Sequence, residues 1–276
     1  MAGAINKGYE NFFLANEIED TYKSHLALQQ FCTVNNDLVG TAGMKYKVNV
    51  YTGTEGTEIL KVGEGNTKQI KVSYTPKEYE ILLVQNRFMF HDEEKMTDPM
   101  IELVGTKQMG VDMFNTVNKS IYDEFAKTTQ VVTANALDFN TFVDAIAQFN
   151  LEASEEKPLF AFVCVKDMAK IKKTLKDDLK YVEAFVRNGY LGTVAGVNLY
   201  VKKDAPENQV IIASKDAVTV FNKKGVEVEQ STPKNRSAED ANVRLNTIYS
   251  RKYYLAALTN NTKAVKITLK AGTTGA

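Results

Sequence analysis

Four consecutive residues, His91-Asp92-Glu93-Glu94, place one imidazole beside three carboxylates, the groups that hydrolytic and cation-binding sites use. Adjacent residues rarely converge on one point, and no second cluster of such residues accompanies them. The only other histidine is His25, and neither histidine stands in H-E-x-x-H or a similar ligand spacing. We interpret residues 91–94 as a solvated turn between a strand and a helix, and the sequence predicts no catalytic residue and no metal ligand.

Glycines between Gly53 and Gly65 could in principle cradle a phosphate. A P-loop needs G-x-x-x-x-G-K-[ST] opening a helix, whereas no Gly-Lys-Ser/Thr occurs here and the flanks alternate as strands. A second glycine group, Gly189, Gly192 and Gly196, precedes an apolar run and indicates turns with positive φ. No cofactor site is predicted, and G-x-S-x-G is absent from the sequence.

The charge balance excludes a tightly held polyanion. Lysine and arginine total 34, as do aspartate and glutamate, so no excess positive charge is available to neutralise nucleic acid. A lysine-rich segment, Asp167 to Val182, has the period of a helix and could be called a nucleic-acid face. Because Asp177, Asp178 and Glu183 interleave with its lysines, we favour a solvated helix.

Composition and cysteine usage indicate an intracellular globular protein. The 276 residues are 44% hydrophobic, and the two cysteines, Cys32 and Cys164, are too few for a disulfide framework. Cys164 lies in the apolar run Leu159 to Val165 and is expected to be buried. We expect no secretory signal, because residues 1–7 lack a basic region followed by an apolar one, and no membrane span.

The elements that would position any site begin with a projecting hairpin over Gly43 to Tyr74. In its first limb Met44, Tyr46, Val48 and Val50 alternate with polar residues, the period of a half-buried strand. Its return limb repeats the pattern at Ile70, Val72 and Tyr74. A strand over Tyr79 to Phe90 is predicted to follow, and a hairpin of this kind implies a partner that covers it.

A long amphipathic helix is predicted over Thr97 to Lys127, with Asp98 as N-cap and Pro99 at the first helical position. Its apolar stripe recurs at spacings of three, four and seven, at Met100, Val104, Val111, Phe114, Val117, Ile121 and Phe125.

The second half of the chain alternates in type, which predicts an α+β fold with a central, mainly antiparallel sheet flanked by helices. The predicted helices are Asp138–Asn150 and Asp167–Val182. The predicted strands are Leu159–Val165, Val197–Val201, Val210–Ala213, Val218–Phe221, Val226–Glu229, Val243–Leu258 and Val265–Leu269.

The order of these elements resembles the major capsid proteins of tailed bacteriophages, the Hong Kong 97-type capsid fold. The resemblance rests on the return limb with Val62-Gly-Glu-Gly-Asn-Thr, on Asp98-Pro-Met at the start of the long helix, on Gly192-Thr-Val-Ala-Gly before a strand, and on the closing Arg251-Lys-Tyr-Tyr-Leu. It implies an N-terminal arm (1–38), an extended E-loop hairpin (39–78), a peripheral domain (79–132) with a spine helix (97–127), an axial domain (133–248) and a C-terminal return to the peripheral domain (249–276).

The resemblance implies a coat protein that self-assembles into hexameric and pentameric capsomers of an icosahedral shell around double-stranded DNA, assembled in the bacterial cytoplasm and located in the virion. The implied partners are the protein itself, a scaffolding protein, a portal and a decoration protein, with packaged DNA contacted non-specifically and no membrane. No catalytic residue or cross-linking pair can be matched by motif. Two alternatives stay open: an encapsulin-like nanocompartment shell that encloses a cargo enzyme, and an unrelated α+β enzyme, which the shortage of histidine disfavours.

Overall fold

The structure is a computed structural model that describes residues 26–150, 158–175, 192–231, 233 and 235–270. Most of the predicted N-terminal arm, His25, Gly189 and the second half of the predicted lysine-rich helix lie outside the described residues. The strands within the described part are β1 (Thr33–Asn35), β2 (Lys45–Gly53), β3 (Val72–Glu80), β4 (Leu82–His91), β5 (Val131–Ala134), β6 (Leu159–Val163), β7 (Thr193–Val194), β8 (Val197–Val201), β9 (Gln209–Ser214), β10 (Val218–Gln230), β11 (Leu245–Leu258) and β12 (Ala264–Leu269).

Five α-helices and two single 3₁₀ turns accompany these strands in the described residues. The helices are α1 (Asp92–Thr97), α2 (Ile101–Ala126), α3 (Phe139–Ala147), α4 (Val165–Thr174) and α5 (Ala238–Asn242), and the 3₁₀ turns are Leu28–Phe31 and Asn261–Lys263.

The strands form two large sheets and the separate β2–β3 ladder, so the prediction of one central sheet is wrong. The order is β1-β10-β11-β4 in the first sheet and β5-β12-β9-β6-β8-β7 in the second. The division into two sheets depends on pairing between strands that are far apart in the sequence. For example, β12 lies between β5 and β9 in the second sheet. The predicted strands Val218–Phe221 and Val226–Glu229 are one strand, β10, whose pairing with β11 shifts register twice at intervening bulges.

The long helix is confirmed, but it begins at Ile101 rather than at Thr97. Thr97 ends α1, and Asp98 takes an extended conformation, as residues before proline prefer. The Asp98 carboxylate accepts the Met100 N–H at 3.0 Å, so it caps the turn that precedes the helix. At 1.5 Å per residue, the 26 residues of α2 span about 39 Å.

Helix α2 forms the centre of the main core because it packs on both sheets. Phe125, at its C-terminal end, lies with its ring centroid 5.9 Å from that of Phe160 and 5.4 Å from that of Phe162 on β6. Val111, Val117, Ile121 and Phe125 of the predicted stripe are buried, whereas Val104 and Phe114 are half-buried. Because two sheets contact the helix, its buried surface is wider than one stripe and also includes Met109, Met113 and Tyr122.

The opposite face of the six-stranded sheet is covered by α3 and α4. Phe142 of α3 and Ile171 of α4 are fully buried against alternate residues of β6 such as Ala161. Strand β6 is therefore buried on both faces, which explains its continuous apolar run. Helix α3 begins after Asp138, which is its N-cap because the Asp138 carboxylate accepts the Thr141 N–H at 2.8 Å.

Both cysteines are buried and are not disulfide-bonded. Burial raises the pKa of Cys32 to about 12, so its thiol is almost wholly protonated at neutral pH. We expect neither cysteine to react with Ellman's reagent in the native subunit and both to react after denaturation, as followed by absorbance. Rapid modification of one thiol in the native protein would contradict this packing.

Candidate assembly surface

The hairpin of β2 and β3 is a two-stranded ladder outside both large sheets. Its antiparallel register runs from Lys45 opposite Glu80 to Gly53 opposite Val72. We call residues 54–71, which connect the two strands, the hairpin tip. A two-stranded ladder is at best marginally stable alone, so its base requires an anchor.

Aromatic packing supplies that anchor at the base. Tyr46 and Tyr79 face each other across the ladder, and their ring centroids lie 5.1 and 5.0 Å from that of Phe221 on β10. Ile81, directly after β3, is buried, and its N–H donates to the Met44 carbonyl at 2.8 Å. The base of the hairpin is therefore fixed to the four-stranded sheet.

Beyond the base, both faces of the ladder are exposed in the subunit. Tyr51 and Tyr74 lie opposite each other, 65% and 62% exposed, with ring centroids 6.0 Å apart. The predicted half-buried alternation is confirmed at Tyr46 and Val48 but is wrong from Val50 onward. The reason is that no other element among the described residues covers this part of the ladder.

The hairpin tip exposes several aliphatic side chains to solvent. Ile59 and Val62 are fully solvent-exposed, and Ile70 is more than half exposed. Burying one such side chain contributes roughly 1.5–3 kcal/mol. The tip therefore has the exposed apolar character of an interaction surface.

An open groove of about 440 Å³ lies between β4 and the first half of α2. Its lining is mainly apolar and includes the carboxylates of Asp98 and Asp112 and the guanidinium of Arg87. It is lined by Asn86, Arg87, Phe88, Asp98, Ile101, Val104, Gly105, Gln108, Met109 and Asp112. Phe88 packs closely on Gly105, where a Cβ atom would come within 2.2 Å of the phenyl ring.

The known proteins to which this chain is similar include phage capsid proteins. No family model matches the chain. A protein described as major capsid protein, from Staphylococcus phage phiMR11, is 25% identical over 269 residues, covering 94% of this chain and 93% of its own length. The capsid of Cyanophage P-SCSP1u superposes with a TM-score of 0.69 at 11% identity, over 91% of this chain and 90% of that one. This chain has a phage capsid fold.

The mature capsid of bacteriophage PhiM1 gives a similar result, with a TM-score of 0.68 at 10% identity over 91% of this chain and 88% of that one. The predicted resemblance to tailed-phage capsid proteins is therefore confirmed, and with it the mixed α+β character of the fold. These matches span about nine tenths of the chain.

In this capsid fold, residues 91–94 form a helix start rather than the predicted solvated turn. His91 is the N-cap of α1, and the Glu94 carboxylate accepts the His91 N–H at 2.8 Å in a capping box. Asp92 accepts two bonds from the Arg236 guanidinium, at 2.9 and 2.6 Å, and Glu93 pairs with Arg244. The four side chains bind different partners and do not converge on one point.

The Asp92–Arg236 pair links the end of β4 to the segment between β10 and β11. The Arg236 side chain is 5% exposed, and it also donates to the Asn246 side-chain oxygen at 2.6 Å. Hydrogen bonds from Arg236 and Asn246 lower the pKa of Asp92 to about 2. These contacts stabilise the fold only while Asp92 is ionised.

This pair gives an expected pH dependence. Because the pKa of Asp92 is lowered on folding, its stabilising contribution is complete above about pH 4 and is lost as the pH falls toward 2. We expect Asp92→Asn to melt below the wild type at pH 6 and the difference to shrink between pH 4 and pH 2. Thermal melting of both unassembled subunits across this range measures it, and a constant difference down to pH 2 would refute it.

The remaining residues noted in the sequence have structural positions. Gly196 has φ +82° in the turn between β7 and β8, as predicted for a turn glycine. The tip glycines lie in a strand connection rather than at a helix start. Asp167 of α4 is buried, where it accepts the Asn208 N–H at 2.7 Å and pairs with Lys170. Within the described residues no group of three or more potential metal ligands is found, and no helix is long and apolar enough to cross a membrane.

Proposed function

We propose that this chain is a major capsid protein, copies of which form the hexamers and pentamers of an icosahedral shell around the double-stranded DNA of a tailed phage. The observation that carries the proposal is that phage capsid proteins match about nine tenths of the chain both in sequence and in structure. The role is structural rather than enzymatic, and the protein is located in the virion.

The mechanism of such a protein is geometric. The hairpin anchored by Tyr46, Tyr79 and Phe221 acts as an E-loop that lies on a neighbouring subunit. Its exposed distal half supports this role, because Tyr51, Tyr74 and the tip are not covered by the described part of the subunit and would gain buried area against another chain. Repeated around each capsomer, this contact links every subunit to the next.

We keep the division into arm, E-loop, peripheral domain and axial domain as part of the proposal. The six-stranded sheet with α3 and α4 is the candidate axial domain, and α2 with the four-stranded sheet is the candidate peripheral domain. The pairing of β10 and β11 with β4 supports assigning both strands to the peripheral domain, although the sequence prediction ended the axial domain at residue 248.

The other proposed partners are a scaffolding protein, a portal and a decoration protein. Packaged DNA would be contacted non-specifically, since the sequence has no net charge with which to bind it tightly. The alternative of a nanocompartment shell around a cargo enzyme is disfavoured, because the 25% identical relative is a phage protein. Neighbouring genes for a terminase and a portal, rather than for a peroxidase or ferritin-like cargo, would separate the two.

Assembly of purified protein tests the proposal. We expect the chain, alone or with a co-expressed scaffold, to sediment in the megadalton range and to form hollow shells or tubes in negative-stain images. A monomer that stays stable at high concentration under both conditions would refute it. Shells that form around a co-purifying enzyme instead of DNA would support the nanocompartment alternative.

A further inference from the structure

A lysine of the four-stranded sheet holds the segment that leads into the hairpin. We call this segment, residues 36–44 between β1 and β2, the entry loop. The Lys223 ammonium of β10 donates to the Leu38 carbonyl at 2.9 Å and also to the Thr41 carbonyl. One cation thus ties two points of the entry loop to the sheet.

A β-bulge in β10 makes this contact possible. Successive side chains of a regular strand point to opposite faces, so Asn222 and Lys223 should not both reach the same loop. The register with β11 shifts between Asn222 and Lys224, which leaves Lys223 without a paired residue on β11. A bulge of this kind re-aims a side chain. Asn222 accordingly donates to the Asn36 side-chain oxygen at 3.1 Å, while Lys223 binds the carbonyls of the same loop.

The entry loop is also bonded to the base of the hairpin. The Asp37 carboxylate accepts the Tyr46 hydroxyl and the Asn35 side-chain amide, both at 2.9 Å. Tyr46 lies on β2 and Asn35 ends β1. The entry loop therefore connects the hairpin to the sheet, and the direction of the hairpin depends on how the loop sits on Lys223.

The hairpin magnifies any movement at this junction. Nine residues of β2, at about 3.3 Å each, extend roughly 30 Å, so a rotation of about 10° at the base displaces the far end of the ladder by about 5 Å. A small change in the entry loop is therefore a large change where the hairpin meets another subunit.

Removing the Lys223 donors should loosen the entry loop without unfolding the subunit. The Leu38 carbonyl also accepts the Thr41 N–H at 3.3 Å and the Thr41 hydroxyl at 3.1 Å, so it stays bonded. Thr41 is exposed, and water can replace the ammonium at its carbonyl. Lys223 therefore contributes to the geometry of the junction more than to the stability of the core.

We propose that Lys223 is a positioning residue for assembly: it fixes the direction in which the hairpin leaves the subunit, and through that direction the diameter of the shell. The proposal rests on the proposed self-assembly, in which each subunit contacts its neighbour through the hairpin. Because the same angle recurs at every contact, a change at the entry loop accumulates around the shell.

Distances between two spin labels in the unassembled subunit test the orienting role without requiring assembly. Labels at Val72→Cys, at the far end of the ladder, and at Leu103→Cys on α2 occupy exposed positions. The native cysteines are buried and stay unlabelled. Lys223→Met keeps an aliphatic side chain and removes the donors. We expect it to broaden the distribution of label distances by about 5 Å, the displacement of the ladder end for a rotation of about 10°.

Lys224→Met is the matched control. Lys224 is the next residue of β10, is exposed, and pairs with Glu227 of the same strand rather than with the entry loop. This variant removes the same charge and should leave the distance distribution unchanged. Lys223→Arg returns donors to the entry loop and should restore a narrow distribution. All three variants should melt within about 3 °C of the parent subunit.

The diameters of assembled shells test the consequence for assembly. In negative-stain images, the wild type and Lys224→Met should give shells of one diameter. Lys223→Met should give several diameters at the same subunit concentration, because its hairpins leave the subunit at a range of angles.

The outcomes separate this inference from the proposed function. A distribution as narrow in Lys223→Met as in the wild type, or equal broadening in Lys224→Met, would overturn the orienting role. A Lys223→Met subunit that does not fold would also overturn it, since Lys223 would then belong to the core. Broad distances with shells of a single diameter would overturn the link to shell size. If the wild type forms no shells with or without scaffold, the proposed function fails, while the label distances still decide the role of Lys223.

Discussion

Deleting the hairpin tip is expected to abolish shell assembly without changing the melting temperature of the subunit. In this variant residues 54–71 are replaced by Asn-Gly, which joins Gly53 to Val72 in a two-residue turn that suits an antiparallel ladder. The anchor at Tyr46, Tyr79 and Phe221 is kept, and shortening a loop changes its closure entropy only slowly. Assembly suffers because the lost contact recurs in every subunit of the shell.

Thermal melting of the unassembled variant and sedimentation of its assembly reaction measure the two effects. A second variant, in which a glycine–serine linker of equal length replaces the tip, is the matched control for chain length. It should also fail to assemble, because it lacks the exposed side chains of Ile59 and Val62. Normal shells from either variant would mean that the tip is an ordinary surface loop, and collapse of the fold would mean that it belongs to the subunit core.

The sequence predicted the elements that bury a face within the subunit. The period of α2 identified Val117, Ile121 and Phe125 correctly, because a helix packed on a core must repeat its apolar residues every three or four positions. The number of sheets could not be predicted in this way. Strand β12 pairs Ala264 with Ala213 of β9, 51 positions earlier in the chain, and Lys266 with Val131 of β5, 135 positions earlier. Periodicity contains no information about such pairing.

The candidate assembly surface was predicted only in outline. Alternation at Tyr46 and Val48 indicated a hairpin that needs a partner, and the exposed ladder agrees with that reading. The hydrogen bonds that the Glu58 carboxylate accepts from Thr67 and Lys68 in the tip could not be foreseen, since a carboxylate nine positions before a threonine has no pattern that distinguishes it from other surface charges. The anchoring role of Phe221 could not be foreseen either, because its contact with Tyr46 and Tyr79 joins distant parts of the chain. The sequence predicts Phe221 only as the last residue of a strand.

Truncating Ile121 to alanine is expected to destabilise the subunit by about 2–5 kcal/mol, from lost burial and from the cavity that remains. Ile121 is fully buried on α2, in the core cluster that also contains Leu28, Phe125 and Val220. The cavity left by its truncation would therefore be closed to solvent. A loss of this size is a large part of the roughly 5–15 kcal/mol that stabilises a typical domain. Chemical denaturation of the unassembled subunit measures it as a lower midpoint.

The same helix supplies the controls that make this result specific to the packing of α2. Lys119, two residues before Ile121, is exposed, and Lys119→Ala should change the free energy of unfolding by less than about 0.5 kcal/mol. Phe114 is half-buried, so Phe114→Ala should fall between these two variants rather than match a buried phenylalanine. Equal tolerance of all three substitutions would show that the buried and exposed faces of α2 are wrongly assigned. Since α2 contacts both sheets, the groove between β4 and α2 and the core would then have to be reassigned together.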